Sequence, residues 1–179
     1  FDYQGPPLRI NIESDLFSAA GLGSSAALSN AMGAALHKLA NPEGKINPIE
    51  LAKIGHSAEA SAQSGRASPT DSAASSLGGC VVVSREKNED WEYVFETSLM
   101  TPEGERKWSI HSIDLHEKIS NSWLVLGFTG EAAPTGDMVS GVASRLKKNP
   151  ALYDEMKAIE NITKAGLKAL ELGNLEAVG

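Results

Sequence analysis

With 179 residues and 41% hydrophobic content, the chain has enough apolar material for one domain or one and a half. Its net charge of −7 argues against a nucleic-acid partner, because holding a polyanion requires a basic surface. The lack of an apolar run of about 18 residues, of a basic-then-apolar start and of any cysteine besides Cys80 points away from membrane insertion, export and disulfides, and toward a reducing cytoplasm.

In chain order, Leu8, Ile10 and Ile12 alternate with Arg9, Asn11 and Glu13, a period of two that predicts a half-buried strand over residues 7–14. It runs into residues 15–27, Asp-Leu-Phe-Ser-Ala-Ala-Gly-Leu-Gly-Ser-Ser-Ala-Ala. Gly21 and Gly23 lack the Cβ atoms that would keep a charged ligand off the backbone. Ser24, Ser25 and Ala26 then open a helix whose first amides have no intrahelical partner. The stretch reads either as a phosphate cradle or as a Gly-rich turn with serine caps. Gly21-x-Gly23-x-x-Ala26 fits the loose dinucleotide fingerprint, but the acidic strand end it requires further on is replaced by the turn Asn41-Pro42-Glu43-Gly44-Lys45. A Walker lysine and a G-x-S-x-G elbow are both absent. Helical spacing of Leu28, Met32, Ala35, Leu36 and Leu39 predicts a helix ending at the 41–44 turn.

Asn47, Pro48 and Glu50 place an N-cap, a first-turn proline and a capping-box acid in register for a second helix, with Leu51, Ile54, Ala58 and Ala62 as its inner face. On that helix His56 reads as a satisfied structural histidine, and Glu59 as either a solvated glutamate or a ligand. Residues 64–79 form a tight, small-residue loop with one acid, Asp71, which in isolation reads as a helix cap. Residues 80–84 and 91–96 read as a hairpin across a polar turn, with Cys80 a buried strand residue, and residues 98–106 read as a loop. Trp108, Ile110 and Ile113 suggest a further strand, and the apolar run 123–128 a buried one. After a loop at 129–136, a helix over 137–148 stops at Asn149-Pro150, and a last one carrying Leu152, Met156, Ile159, Leu167 and Leu170 stops at Gly173.

The run Gly-Leu-Gly-Ser-Ser-Ala-Ala at 21–27 resembles the ATP-binding motif of the GHMP kinases, the superfamily that includes galactokinase, homoserine kinase and mevalonate kinase. Ala-Ser-Pro-Thr-Asp at 67–71, followed by Ser-x-x-Gly-Gly, resembles the aspartate loop of archaeal-type mevalonate kinases. The resemblance is closest over residues 8–83 and 122–140 and marks the chain as a central fragment. It implies an α+β GHMP kinase fold: a ribosomal protein S5 domain 2-like N-terminal domain with a left-handed crossover over residues 1–120, then the start of a ferredoxin-like C-terminal domain over 121–179, both incomplete.

By the same resemblance, Ala19, Ala20, Gly21, Leu22, Gly23, Ser24, Ser25 and Ala26 would hold the ATP phosphates. Ser25 and Glu59 would bind Mg²⁺, and Asp71 would accept or orient the proton of the substrate hydroxyl. The implied reaction is phosphorylation of mevalonate to 5-phosphomevalonate in isoprenoid biosynthesis, with another GHMP kinase acting on phosphomevalonate or homoserine, or a non-catalytic nucleotide-binding fragment, as alternatives. The implied partners are ATP and a small molecule in the cytoplasm, with no nucleic acid or membrane and a homodimer left open. The chain departs from the family where Phe17 replaces the usual proline, where Ala19 replaces a frequent glycine, and where one extra residue, around Ser64, separates Glu59 from Asp71. Counterparts of the family's N-terminal lysine motif and C-terminal glycine-rich motif are missing.

Overall fold

Small side chains decide how the first three helices meet. Helices α1 (Ser24–Ala40), α2 (Pro48–Ala62) and α3 (Thr70–Leu77) pack on one another. Their buried positions are Ala26, Asn30 and Gly33 on α1, Leu51, Ala52, Gly55, His56, Glu59 and Ala60 on α2, and Ser72 and Ala73 on α3. With so few bulky groups between them, the backbones approach closely enough for short polar side chains to bridge the helices. The computed structural model describes residues 3–17, 19–63, 65–101, 104–131 and 135–179. These divide into two compact units, Phe1–Ser112 and Ile113–Gly179.

Two expectations about helix faces are corrected. On α2 only Leu51 of the expected inner face is buried; Ile54, Ala58 and Ala62 are exposed, and the stripe through Ala52, Gly55, His56 and Glu59 faces α1 and α3. On α1 the apolar set containing Leu28, Met32, Ala35, Leu36 and Leu39 lines an open groove, while the small residues take the helix contact. On α1 the helix contact took the stripe of small residues rather than the most hydrophobic one, and on α2 it took a stripe that includes the polar His56 and Glu59.

The sheet packs against α2 and α3. Strands β1 (Cys80–Ser84), β2 (Glu92–Thr101) and β3 (Gly104–Ile113) form a three-stranded sheet in the order β1-β3-β2. The hairpin expected between residues 80–84 and 91–96 is therefore not formed: β2 pairs antiparallel with β3, from Glu92↔Ser112 to Thr101↔Gly104, with a register shift between Tyr93 and Phe95. The loop expected at 98–106 is mostly strand, since β2 and β3 run to within two residues of each other; residues 102 and 103 lie outside the described residues. Phe95 and Ile110 pack with Ala52 and Ala73, backed by Ile49, Leu77, Val81, Val83, Val94 and Trp108, so the core lies between the sheet and α2–α3. Cys80 is half-buried on β1, and burial pushes its thiol up from the ordinary 9.0, as the strand reading expects.

The strand expected over residues 7–14 is not found: the segment has no regular structure, and Leu8, Ile10 and Ile12 are exposed. Alternation prepares a strand, but a strand exists only where a neighbour takes up its hydrogen bonds, and among the described residues none pairs here.

The second unit holds α4 (Glu117–Ser120), α5 (Thr135–Lys148), α6 (Leu152–Leu172) and α7 (Leu175–Val178). The stop at Gly173 is as expected: its φ is +66°, and the Asn174 amide donates back to the Ala169 carbonyl at 2.9 Å. The buried strand expected at 123–128 is corrected. Those residues have no regular structure, and Trp123 is 94% exposed. An apolar run is buried only when another layer covers it, and no described element does. The loop expected at 129–136 includes residues 132–134, outside the described residues. Among the described residues, no helix is long and apolar enough to cross a membrane.

Candidate active site

The glycine loop puts open amides at the start of α1. Ala19, Gly21 and Gly23 have φ of 55°, 71° and 65°, the left-handed region where a Cβ is unfavourable. Ala19 thus keeps a backbone shape suited to the glycine frequent at that place. Gly23 is the N-cap residue, and no side-chain hydrogen bond caps α1. The Ala27 N–H donates to the Gly23 carbonyl at 3.0 Å as the first intrahelical bond. The amides of Ser24, Ser25 and Ala26 precede it, at the positive end of the helix dipole and with no acid in the first turn to compete.

Three helices bring oxygen groups to this end of α1. The Ser25 hydroxyl donates to Oε1 of Glu59 at 2.5 Å, joining α1 to α2. Glu59 is 6% exposed, and its carboxyl is held above the ordinary 4.5: burial is the main cause, the nearby Asp71 charge adds to it, and the Ser25 bond opposes it. Asp71 stands exposed in the first turn of α3, yet it caps nothing, because Pro69 is the N-cap residue and no side-chain cap bond forms. A Cβ built on Gly23 would lie 3.3 Å from both Cβ and Cγ of Asp71. Gly23, Ser25, Glu59 and Asp71, separated by up to 48 positions, are therefore neighbours. Ala20 and Leu22 are half-buried within the loop, and Ala26 is fully buried behind it.

The donor set tests well against magnesium. No group of three or more His, Cys, Asp and Glu capable of holding a metal occurs among the described residues. Mg²⁺ does not need one, since it takes one or two carboxylates and completes its shell with phosphates and water. A hydroxyl and two repelling carboxylates beside open amides fit that pattern.

Glu59 makes an opposing pair of expectations. Its protonated form is favoured in the fold, so its contribution to stability is present below 4.5 and is lost as pH rises through the raised folded value. Glu59→Gln mimics the protonated form and can still accept from Ser25. The variant is expected to raise Tm by ~2–4 °C at pH 7.5, with the gain shrinking as pH falls toward 4.5. Thermal unfolding at both pH values checks it.

His56 bears out the structural reading. It is fully buried, its Nε2–H donates to the Ala67 carbonyl at 3.1 Å, and its ring meets Trp108 edge-on at 5.3 Å. Burial holds its pKa below the ordinary 6.5. The bond ties the loop that leads to Asp71 back onto α2; the extra residue around Ser64 lies outside the described residues. Asn30 and Gly55, which meet at the helix contact behind the site, were not singled out from the sequence, because a lone asparagine and a mid-helix glycine carry no motif. A groove of about 810 Å³ runs along residues 8–16 and α1, reaching Ser24 and Ser25 but neither Glu59 nor Asp71. Its wall is mostly apolar, so the ionisable groups meet at the helix convergence instead.

Residues 1–79 match the family model described as GHMP kinases N terminal domain. Over 178 residues, 99% of the chain, the sequence is 29% identical to a mevalonate kinase of Methanothermobacter thermautotrophicus, of which the alignment covers 50%. It is 28% identical over 151 residues, 84% of the chain, to a mevalonate kinase of Pyrococcus furiosus, covering 36% of that protein. The chain spans half the length or less of these curated relatives. No solved structure matches it significantly. The resemblance to the GHMP kinases, and within them to archaeal mevalonate kinases, is thus borne out, with an α+β fold and a small antiparallel sheet.

Proposed function

We infer that this chain, whose first 79 residues match the N-terminal domain of GHMP kinases, belongs to an ATP-dependent small-molecule kinase of the mevalonate type. The observation that carries the reading is the convergence of Gly23, Ser25, Glu59 and Asp71 from three helices on the open amides of α1. Phosphoryl transfer demands little covalent chemistry from a protein; it demands alignment of two oxygens and neutralisation of phosphate charge. In this reading the backbone from Ala19 to Ala26 holds the ATP phosphates and directs the γ-phosphate toward Asp71. The Asp71 carboxylate takes the proton of a primary alcohol as its oxygen bonds to the γ-phosphorus. The bond from that phosphorus to the β–γ bridging oxygen breaks, and ADP leaves.

Ser25 and Glu59 would hold Mg²⁺, whose charge, when bound, offsets that of the phosphates. Their mutual hydrogen bond already joins the two groups across the α1–α2 contact. Glu59→Gln is accordingly expected to raise the Mg²⁺ needed for half-maximal activity while affinity for the alcohol stays nearly constant.

The finer proposals follow the archaeal relatives: mevalonate as acceptor and 5-phosphomevalonate as product, in a cytoplasmic enzyme. Residues 1–120 are proposed as the S5 domain 2-like N-terminal domain and 121–179 as the start of a ferredoxin-like one. Phosphate transfer from ATP, measured on the full-length protein with mevalonate, phosphomevalonate and homoserine in parallel, tests the reading. Turnover with mevalonate alone supports it, turnover with another acceptor moves the substrate within the family, and none with any of the three sinks it.

A further inference from the structure

Asn30 is an unusual side chain to find where three helices meet. It is 3% exposed; its Nδ2 donates to the Ser72 carbonyl at 2.8 Å, while its Oδ1 is buried without a hydrogen-bond partner. That oxygen sits where a side chain on Gly55 would begin, since a Cβ built there would stand 1.9 Å from Oδ1 and 3.4 Å from the Ser72 Cβ. The carboxamide of α1 therefore lies against α2 at Gly55 and is bonded to α3 at Ser72.

Stability alone does not explain this residue. An unpaired buried oxygen costs ~1–3 kcal/mol. Alanine would avoid that cost and suit the helix better. Its placement relative to the site does offer an explanation. Gly55 lies one turn before Glu59 on α2, Ser72 directly follows Asp71 on α3, and Ser25 shares α1 with Asn30. A contact made only of alanine and glycine can slide at little cost, whereas one directional hydrogen bond seated in a glycine notch admits a single alignment.

We infer that Asn30 is a positioning residue: its carboxamide, seated on Gly55 and tied to the Ser72 carbonyl, sets α2 and α3 against α1 and thereby holds Asp71 in place beside Gly23, Ser25 and Glu59. This rests on the kinase reading and adds to it a residue that touches neither nucleotide nor acceptor. A misplacement of about 1 Å at a reacting group can cost ~10²-fold in rate.

The test uses the full-length protein, with kcat, KM and Tm measured for Asn30→Ala, Asp71→Asn, the double variant and Gly55→Ala. For Asn30→Ala the expected result is a Tm within ~4 °C of wild type, an unchanged KM for ATP and a kcat lower by ~10²-fold. In the Asp71→Asn background the same substitution adds less than ~3-fold, because both changes disable one group. Gly55→Ala displaces the carboxamide from the other side and should reproduce the kcat loss, which keeps the inference testable if Asn30→Ala folds poorly. Wild-type kcat in Asn30→Ala, or its full loss repeated in the Asp71→Asn background, overturns the inference and leaves the kinase reading intact. An Asn30→Ala loss confined to Tm overturns it likewise. No turnover by the wild-type protein with any acceptor overturns both.

Discussion

Asp71→Asn is expected to lower kcat by ~10²–10⁴ in the full-length protein while leaving the fold and the affinity for ATP in place. The carboxamide has nearly the shape of the carboxylate but cannot take a proton at neutral pH. Folding has little at stake in the exchange, because Asp71 is exposed and makes no cap bond to α3. The nucleotide has little at stake either, since its proposed contacts are made by the backbone from Ala19 to Ala26. One side effect distinguishes this variant from a general disruption. The Asp71 charge helps to hold the Glu59 carboxyl up, so Asp71→Asn should let Glu59 ionise more readily and ease its cost to stability near neutral pH. Steady-state kinetics with calorimetric ATP binding and thermal unfolding decide the matter. Normal turnover would leave Asp71 with nothing but a favourable place near a helix dipole.

Local features of the candidate site were more legible in the sequence than the pairing and burial around it, for a physical reason. A cradle for phosphate must be written locally: consecutive small residues, two of them glycine, followed at once by a helix. A small-residue turn into a helix at residues 19–26 is local in this way, and Ala19, Gly21 and Gly23 there have left-handed φ angles. Helix ends are equally local, and Asn47 with Pro48 at one start and Gly173 at one stop stand where their chemistry puts them. Pairing and burial are not local. Leu8, Ile10 and Ile12 alternate as a strand should, and residues 123–128 are as apolar as a buried strand, but neither is a strand among the described residues. Nor could α2 announce its inner face. Two stripes share the 3.6-residue period, and the choice fell on the one through Gly55 and Glu59 because α1 and α3 come close there. Glu59 belongs to that buried stripe, which is why Ser25 can reach it.

Gly23→Val is expected to weaken Mg-ATP binding by more than ~10²-fold, the equivalent of about 3 kcal/mol. Two separable effects add. The first is conformational: Gly23 has a φ of +65°, and a side chain there costs ~1–2 kcal/mol, with a β-branched one at the upper end. The second is spatial. A Cβ on Gly23 would lie 3.3 Å from the Cβ and Cγ of Asp71 and 3.5 Å from its Oδ2, so two further methyl groups would push α3 away or point over the open amides. Gly21 separates the effects, because it has a φ of +71° but a Cβ added to it would meet nothing within 4 Å. Gly21→Val should therefore show strain without collision, and a smaller loss of affinity. Ser25→Ala removes one oxygen and no backbone freedom, so it should weaken Mg-ATP by ~10-fold, the worth of about one hydrogen bond. Calorimetry on the three variants gives the order Gly23→Val, then Gly21→Val and Ser25→Ala. Unchanged affinity in Gly23→Val would return this loop to a plain turn into a helix and would detach Asp71 from the nucleotide altogether.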